Sequence, residues 1–155
     1  MKTFCILIAI CFTMNTQARL GETTEQIEAR YGKPSEASLT KKYLQSGLPH
    51  KKYKFKNYSV VVVFHEGKSI KETVIPTEYS ATGEDESIEL VKSIIGDPAS
   101  KSWDKMVLRG DGWQAMSLTT EVRVWLNEYD SIVKTHREAV EKEQREQAKK
   151  KTEGF

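Results

Sequence analysis

Residues 51–76 read "KKYKFKNYSVVVVFHEGKSIKETVIP", and their period decides the fold. Tyr53 and Phe55 alternate with Lys52, Lys54 and Lys56, the two-residue period of a strand with one face in water. Asn57 suits a turn, Tyr58 to His65 is rich in β-branched residues, and Glu66-Gly67 suits a second tight turn. Ser69 to Ile75 continues as a strand that Pro76 closes, so the segment predicts an antiparallel three-stranded meander. Valines 60 to 63 leave no polar side, which predicts a central strand covered on both faces for part of its length.

Upstream, "LGETTEQIEARYGKP" (residues 20–34) predicts a short helix capped at both ends. Thr23 or Thr24 can accept a hydrogen bond from an otherwise unpaired first-turn amide. Glu22, Glu25 and Glu28 lie near the positive end of the helix dipole. Ile27 and Tyr31, four apart, share one face. Gly32 suits the left-handed position after the last turn, and Pro34 prevents continuation. Downstream, residues 77–86 are a polar loop, and "ESIELVKSIIGDP" predicts a second helix with Ile88, Val91 and Ile95 at helical spacing. It also ends in Gly-x-Pro, at Gly96 and Pro98. Residues 102–136 read as further short strands around a Gly110-Asp111-Gly112 turn, with Trp103, Trp113 and Trp125 as large apolar side chains.

From about Thr135 the apolar stripe thins. Glu138/Lys142, Glu141/Arg145 and Glu146/Lys150 are spaced in the favourable order for a solvated, charge-laced helix. The expected class is α+β, with short helices packed on an antiparallel sheet and a charged C-terminal helix. A shift of 64 residues sets Thr23 on Ser87, Ile27 on Val91, Tyr31 on Ile95, Gly32 on Gly96 and Pro34 on Pro98. This suggests a tandem helix-plus-meander repeat; two unrelated helices with ordinary cap chemistry explain it too.

Residues 1–18 carry Lys2, an apolar run from Phe4 to Phe12, and small residues at Thr16 and Ala18. The run is too short to span a bilayer, which takes about 20 residues. The pattern predicts a secretory signal peptide, a single α+β domain over 19–136 and a helical or disordered tail over 137–155. Cys5 and Cys11, the chain's 2 cysteines, fall within that leader. The exported product is then expected, periplasmic or secreted, without disulfide, Cys–metal site, Cys nucleophile or membrane anchor. The net charge of +2 gives no strong steering toward nucleic acid or membrane.

The pattern Gly21-x-Thr23-x-x-Gln26-Ile27-x-x-x-Tyr31-Gly32-x-Pro34 resembles the opening of the SmpA/OmlA family of small outer-membrane assembly lipoproteins, grouped with the β-lactamase inhibitory protein-like fold. Tyr53-x-Phe55, Val61-x-Val63-Phe64 and Gly67-Lys68 look like that family's strand–strand–turn continuation, so the resemblance covers residues 20–75. It implies helices on one face of an antiparallel sheet and a role in binding proteins or envelope components rather than catalysis. The family's lipid-bearing cysteine is absent, and the second half has no counterpart within the lipoproteins.

Catalytic and cofactor motifs are sparse. His50, His65 and His136 lack ligand spacing, and neither a nucleophile elbow nor a phosphate loop occurs. No metal, cofactor or nucleic acid is expected, and no enzymatic activity. Arg109-Gly110-Asp111 spells an adhesion tripeptide and Asn57-Tyr58-Ser59 a glycosylation acceptor, each equally explained by a turn. Lys51, Lys52, Lys54 and Lys56, with Lys41, Lys42 and His50, mark a candidate surface for an acidic protein or polyanion. The competing explanation is that lysines on an edge strand prevent strand-to-strand aggregation. The leading expectation is a soluble extracytoplasmic binding or accessory module whose protein or envelope partner is unknown. The alternatives are a structural envelope component contacting an anionic polymer or membrane through its basic strand and, third, an unrecognised hydrolase.

Overall fold

The computed structural model describes residues 20–35, 45–78, 83–95 and 107–153. The leader, Lys41, Lys42, Gly96, Pro98 and Trp103 lie outside them. The described elements run α1 (Thr24–Tyr31), β1 (His50–Phe55), β2 (Tyr58–His65), β3 (Lys68–Pro76), α2 (Glu84–Ile95), β4 (Val107–Arg109), β5 (Trp113–Leu118), β6 (Glu121–Leu126) and α3 (Tyr129–Glu153). The strands form one antiparallel sheet in the order β1-β2-β3-β6-β5-β4, an α+β architecture.

Thr23 caps α1: its side chain accepts from the Gln26 amide, and the Gln26 side chain accepts from the Thr23 amide, a reciprocal capping box. Gly32 ends the helix at φ 83° and ψ −169°. The positive φ is as expected, but this ψ lies outside the left-handed helical region, in a zone that is essentially glycine's alone. Glu66 and Gly67 both take positive φ, 50° and 77°, as the two-residue turn between β2 and β3.

One sheet face carries α1 and α2. Ile27 and Tyr31 of α1 and Val91, Ile94 and Ile95 of α2 pack there with Tyr53, Val60, Val62, Val74, Leu108, Ala115, Val122 and Val124. The start of α3 covers part of the other face, where Val133, Ile132 and Tyr129 meet Leu48, Val63 and Ile70. Both faces of β2 are therefore covered, which is what its valine run required. The strand is not central, however; it lies next to the edge strand β1, and α3 rather than a central position shields its second face.

Residues 129–136 are helix, not the strand read from the sequence. Tyr129, Ile132 and Val133 fall at i, i+3 and i+4, and burial of that stripe on β2 and β3 selects the helical period. The helix then runs through residue 137 without a break, and every residue from 137 to 151 is exposed.

Candidate functional site

A buried ionic cluster fastens α1 to the sheet. Glu72 of β3 is 0% exposed. Arg30 donates to it from Nη2 at 2.8 Å and Nη1 at 3.5 Å, and the Tyr31 hydroxyl donates at 2.7 Å. Arg30 also meets Glu22 at 2.5 Å. Burial pushes the Glu72 carboxyl up, opposed by Arg30 and the Tyr31 hydroxyl. These groups are engaged with one another beneath α1, which makes the cluster a brace rather than a reaction centre.

The second face is chemically different. Strand register lines up Lys52, Val61, Thr73, Arg123, Met116 and Val107 across the sheet. The neighbouring row is His50, Val63, Lys71, Trp125, Gln114 and Arg109. Lys54 follows on the same side opposite Ser59. Because side chains alternate along a strand, these groups share the face away from α1 and α2. Its described strand residues present Lys52, Lys54, Lys71, Arg109 and Arg123 against the single carboxylate Glu121, itself ion-paired to Arg123.

Between this face and the start of α3 lies a cleft of about 100 Å³. Val61 and Val63 contribute its apolar wall, and Lys71, Thr73, Arg123, Tyr129, Gln45 and Ser46 contribute its polar groups. A shallower hollow of about 170 Å³ adjoins it at Lys71 and Tyr129, and extends to Met116, Trp125 and Asp130. The Lys71 ammonium stands 4.6 Å from the centre of the Tyr129 ring. Burial pushes Lys71 down to about 8, helped by Arg123 and opposed by Glu121 and Asp130. Burial likewise pushes the Tyr129 hydroxyl up, with a hydrogen bond from Ser46 acting the other way. The segment carrying Gln45 and Ser46 is tied to α3, since Arg137 donates to the Gln45 carbonyl and His136 Nε2 lies 3.2 Å from the Gly47 carbonyl.

The four lysines of the sequence-predicted surface do not share a face. Lys52 and Lys54 belong to the cationic side just described, on the edge strand β1. Lys51 points the other way and pairs with Glu28 of α1 at 3.0 Å. Lys56 sits in the β1–β2 turn with φ 51°, its ammonium 5.3 Å from the centre of the Phe55 ring. Lys71, Arg109 and Arg123 were missed, because only the register brings them beside Lys52. The fold-motif residues are all structural: Ile27 and Tyr31 are core, Thr23 and Gly32 are caps, Pro34 is exposed just past the helix, and Gly21 at φ 92° donates to the Ser69 carbonyl at 2.7 Å.

Arg109-Gly110-Asp111 forms the exit of β4, where Trp113 covers Gly110 so closely that an added Cβ would lie 1.9 Å from the indole. His50 Nδ1, like His136, contacts a backbone carbonyl, at 3.1 Å. Among the described residues no three His, Cys, Asp or Glu side chains are placed to hold a metal ion, and no helix is long and apolar enough to cross a membrane. No family model matches the chain, and no curated protein or solved structure matches it.

Proposed function

We propose that this chain is an extracytoplasmic binding or accessory module that docks an acidic protein surface on the cationic face of its sheet, without catalysis. The observation that carries this reading is the asymmetry of the two faces. One is roofed by α1 and α2; the other, covered in part by α3, holds Arg109 and Arg123 on the side of the half-buried Trp125 and Met116, and Lys52 and Lys54 on its β1 edge. Large side chains on a face of like charge suit an interface whose partner carries the opposite charge, which speeds encounter and excludes wrong partners.

The resemblance to the SmpA/OmlA family supports the same reading, as does the leader, whose removal is expected to leave Arg19 at the N-terminus of the exported product; sequencing that terminus tests it. The tandem repeat is part of the proposal. Its support is that each helix precedes three antiparallel strands, and that Ile27 and Val91, both 0% exposed, take matching core positions. The caps diverge, since Thr23 precedes α1 whereas Ser87 lies inside α2 and donates to the Gly83 carbonyl.

The test is capture from envelope extract by the wild-type chain and by a Lys52→Glu/Lys54→Glu variant. A stoichiometric acidic protein retained only by the wild type is the expected result. Retention of an anionic polymer in its place would transfer the support to the structural envelope component.

A further inference from the structure

We propose that the cleft between β3, β6 and the start of α3 is a binding pocket for a small oxyanion, with Lys71 and Arg123 as the charged contacts and Thr73 as a neutral donor. This goes beyond the docking surface, because it requires no macromolecular partner.

The composition of the lining comes first. Among the described residues, two cations and four neutral polar side chains, Thr73, Ser46, Gln45 and Tyr129, border the cleft, and no carboxylate does. A volume of about 100 Å³ matches roughly three waters' share of liquid. That is room for a phosphate, a sulfate or the carboxylate end of a larger molecule.

The state of the donors comes second. Thr73 is 2% exposed, and its hydroxyl makes no hydrogen bond to a described residue. The hydroxyl is not one of the sealed, unpartnered polar atoms among the described residues, which are Arg30 Nε and the Tyr53 hydroxyl oxygen, so it opens onto the cleft as an available donor. Lys71 likewise forms no ion pair with a described residue; its ammonium lies over the Tyr129 ring. Arg123 engages Glu121 through Nε and Nη2, which leaves Nη1 without a described partner. An oxyanion set between Lys71, Arg123 and Thr73 would satisfy all three at once, and charged hydrogen bonds of this kind are the stronger ones. The nearby carboxylates are Glu121, held by Arg123, and Asp130, Glu138 and Glu141, which border the wider hollow along α3 that shares Lys71 and Tyr129 with the cleft. Burial lowers the Lys71 ammonium to about 8, so it is still mostly charged at neutral pH, and a bound anion is expected to keep it charged to higher pH.

Calorimetric titration of the full exported chain with inorganic phosphate, and separately with acetate, at ionic strength matched with sodium chloride, tests the proposal. Saturable binding at one site is expected. Lys71→Met should weaken it about tenfold or more, the loss that follows removal of a charged donor. Thr73→Val, which keeps the side-chain shape, should weaken it less, and Lys52→Met, on the same face but outside the cleft, should leave it unchanged. Phosphate binding alone identifies a free tetrahedral anion as the ligand. Acetate binding alone identifies a carboxylate, as on a chain terminus or acidic side chain. If neither probe saturates, or if Lys52→Met weakens binding as much as Lys71→Met, the pocket assignment is wrong and any attraction belongs to the face as a whole. Failure of the wild-type chain to capture an acidic partner, with phosphate binding intact, would overturn the docking surface alone.

Discussion

Arg30→Met is expected to destabilise the protein by about 3–5 kcal/mol, the range for a buried ion pair that loses one partner. The magnitude follows from what remains around Glu72. Its carboxylate is fully buried and takes hydrogen bonds from Arg30 and from the Tyr31 hydroxyl. Removing Arg30 leaves the Tyr31 hydroxyl, and one such bond contributes only about 1.5–3 kcal/mol even to a charged acceptor. Glu22 loses its partner as well, but with 23% of its side chain exposed it recovers water. The double variant Arg30→Met/Glu72→Leu removes both charges and fills the space with apolar atoms, so it is expected to lie within about 1–2 kcal/mol of wild type. Urea unfolding of wild type, the two single variants and the double variant gives the coupling directly. The pH dependence is a second signature. In Arg30→Met the folded carboxyl titrates above its unfolded value, so its contribution is intact below the unfolded pKa and lost as pH rises through the folded one. The deficit should therefore be largest near neutrality and shrink as pH falls toward about 4. Additive single effects, or a deficit that does not respond to acid, would refute the brace.

Gly32→Ala should cost about 1–3 kcal/mol from backbone strain alone, because φ is 83° and no atom crowds the added methyl; Ile27→Ala, at a fully buried position, should cost about 2–5 kcal/mol, and denaturant midpoints compare the two. Tyr53→Phe should stabilise the fold by about 1–3 kcal/mol and so raise the midpoint, since the Tyr53 hydroxyl is buried with no hydrogen-bond partner among the described residues. Lys71 titrates at about 8 in the fold and about 10.4 unfolded, so the folded state sheds its proton first. Stability should rise with pH above about 8, by up to about 3 kcal/mol, until tyrosine ionisation opposes it; a wild-type slope equal to that of Lys71→Met would contradict this. Truncation after Lys142 should leave the melting temperature unchanged, as residues 137–151 are exposed throughout; a loss of several degrees would mean that the distal helix packs on the body.

How much of this was legible depends on range. The ends of α1 and the turns of the first meander are decided by residues within a few positions of each other, and Thr23, Gly32 and Gly67 announce them. Period two alone also separates Lys52 and Lys54 from Lys51, a consequence that a patch read along the sequence overlooks. The start of α3 was hidden because Ile132 and Val133 follow β6 closely and suit a strand equally well; only docking on Val63 and Ile70 decides. Glu72 was hidden for a related reason. The run Lys71-Glu72-Thr73 shows alternation but not which side faces the core, and an irregularity between Val63 and Phe64 shifts the register just before it. The cleft is less legible still, since Thr73 and Arg123 meet only through the pairing of β3 with β6.

That pairing also bears on how the chain assembles. Within each meander, β1–β2–β3 or β4–β5–β6, neighbouring strands are joined by short turns, so their registers form at small loop-closure cost. The seam of Lys71 to Val74 against Trp125 to Val122 instead closes a loop of about fifty residues. The two meanders can thus reach native register early and independently, leaving the seam as the slow, topologically demanding event. Until it closes, β3 and β6 are two edges with unpaired backbone groups that any second chain could pair with. Aggregation during refolding should accordingly fall on dilution far more than the stability of the finished sheet would suggest.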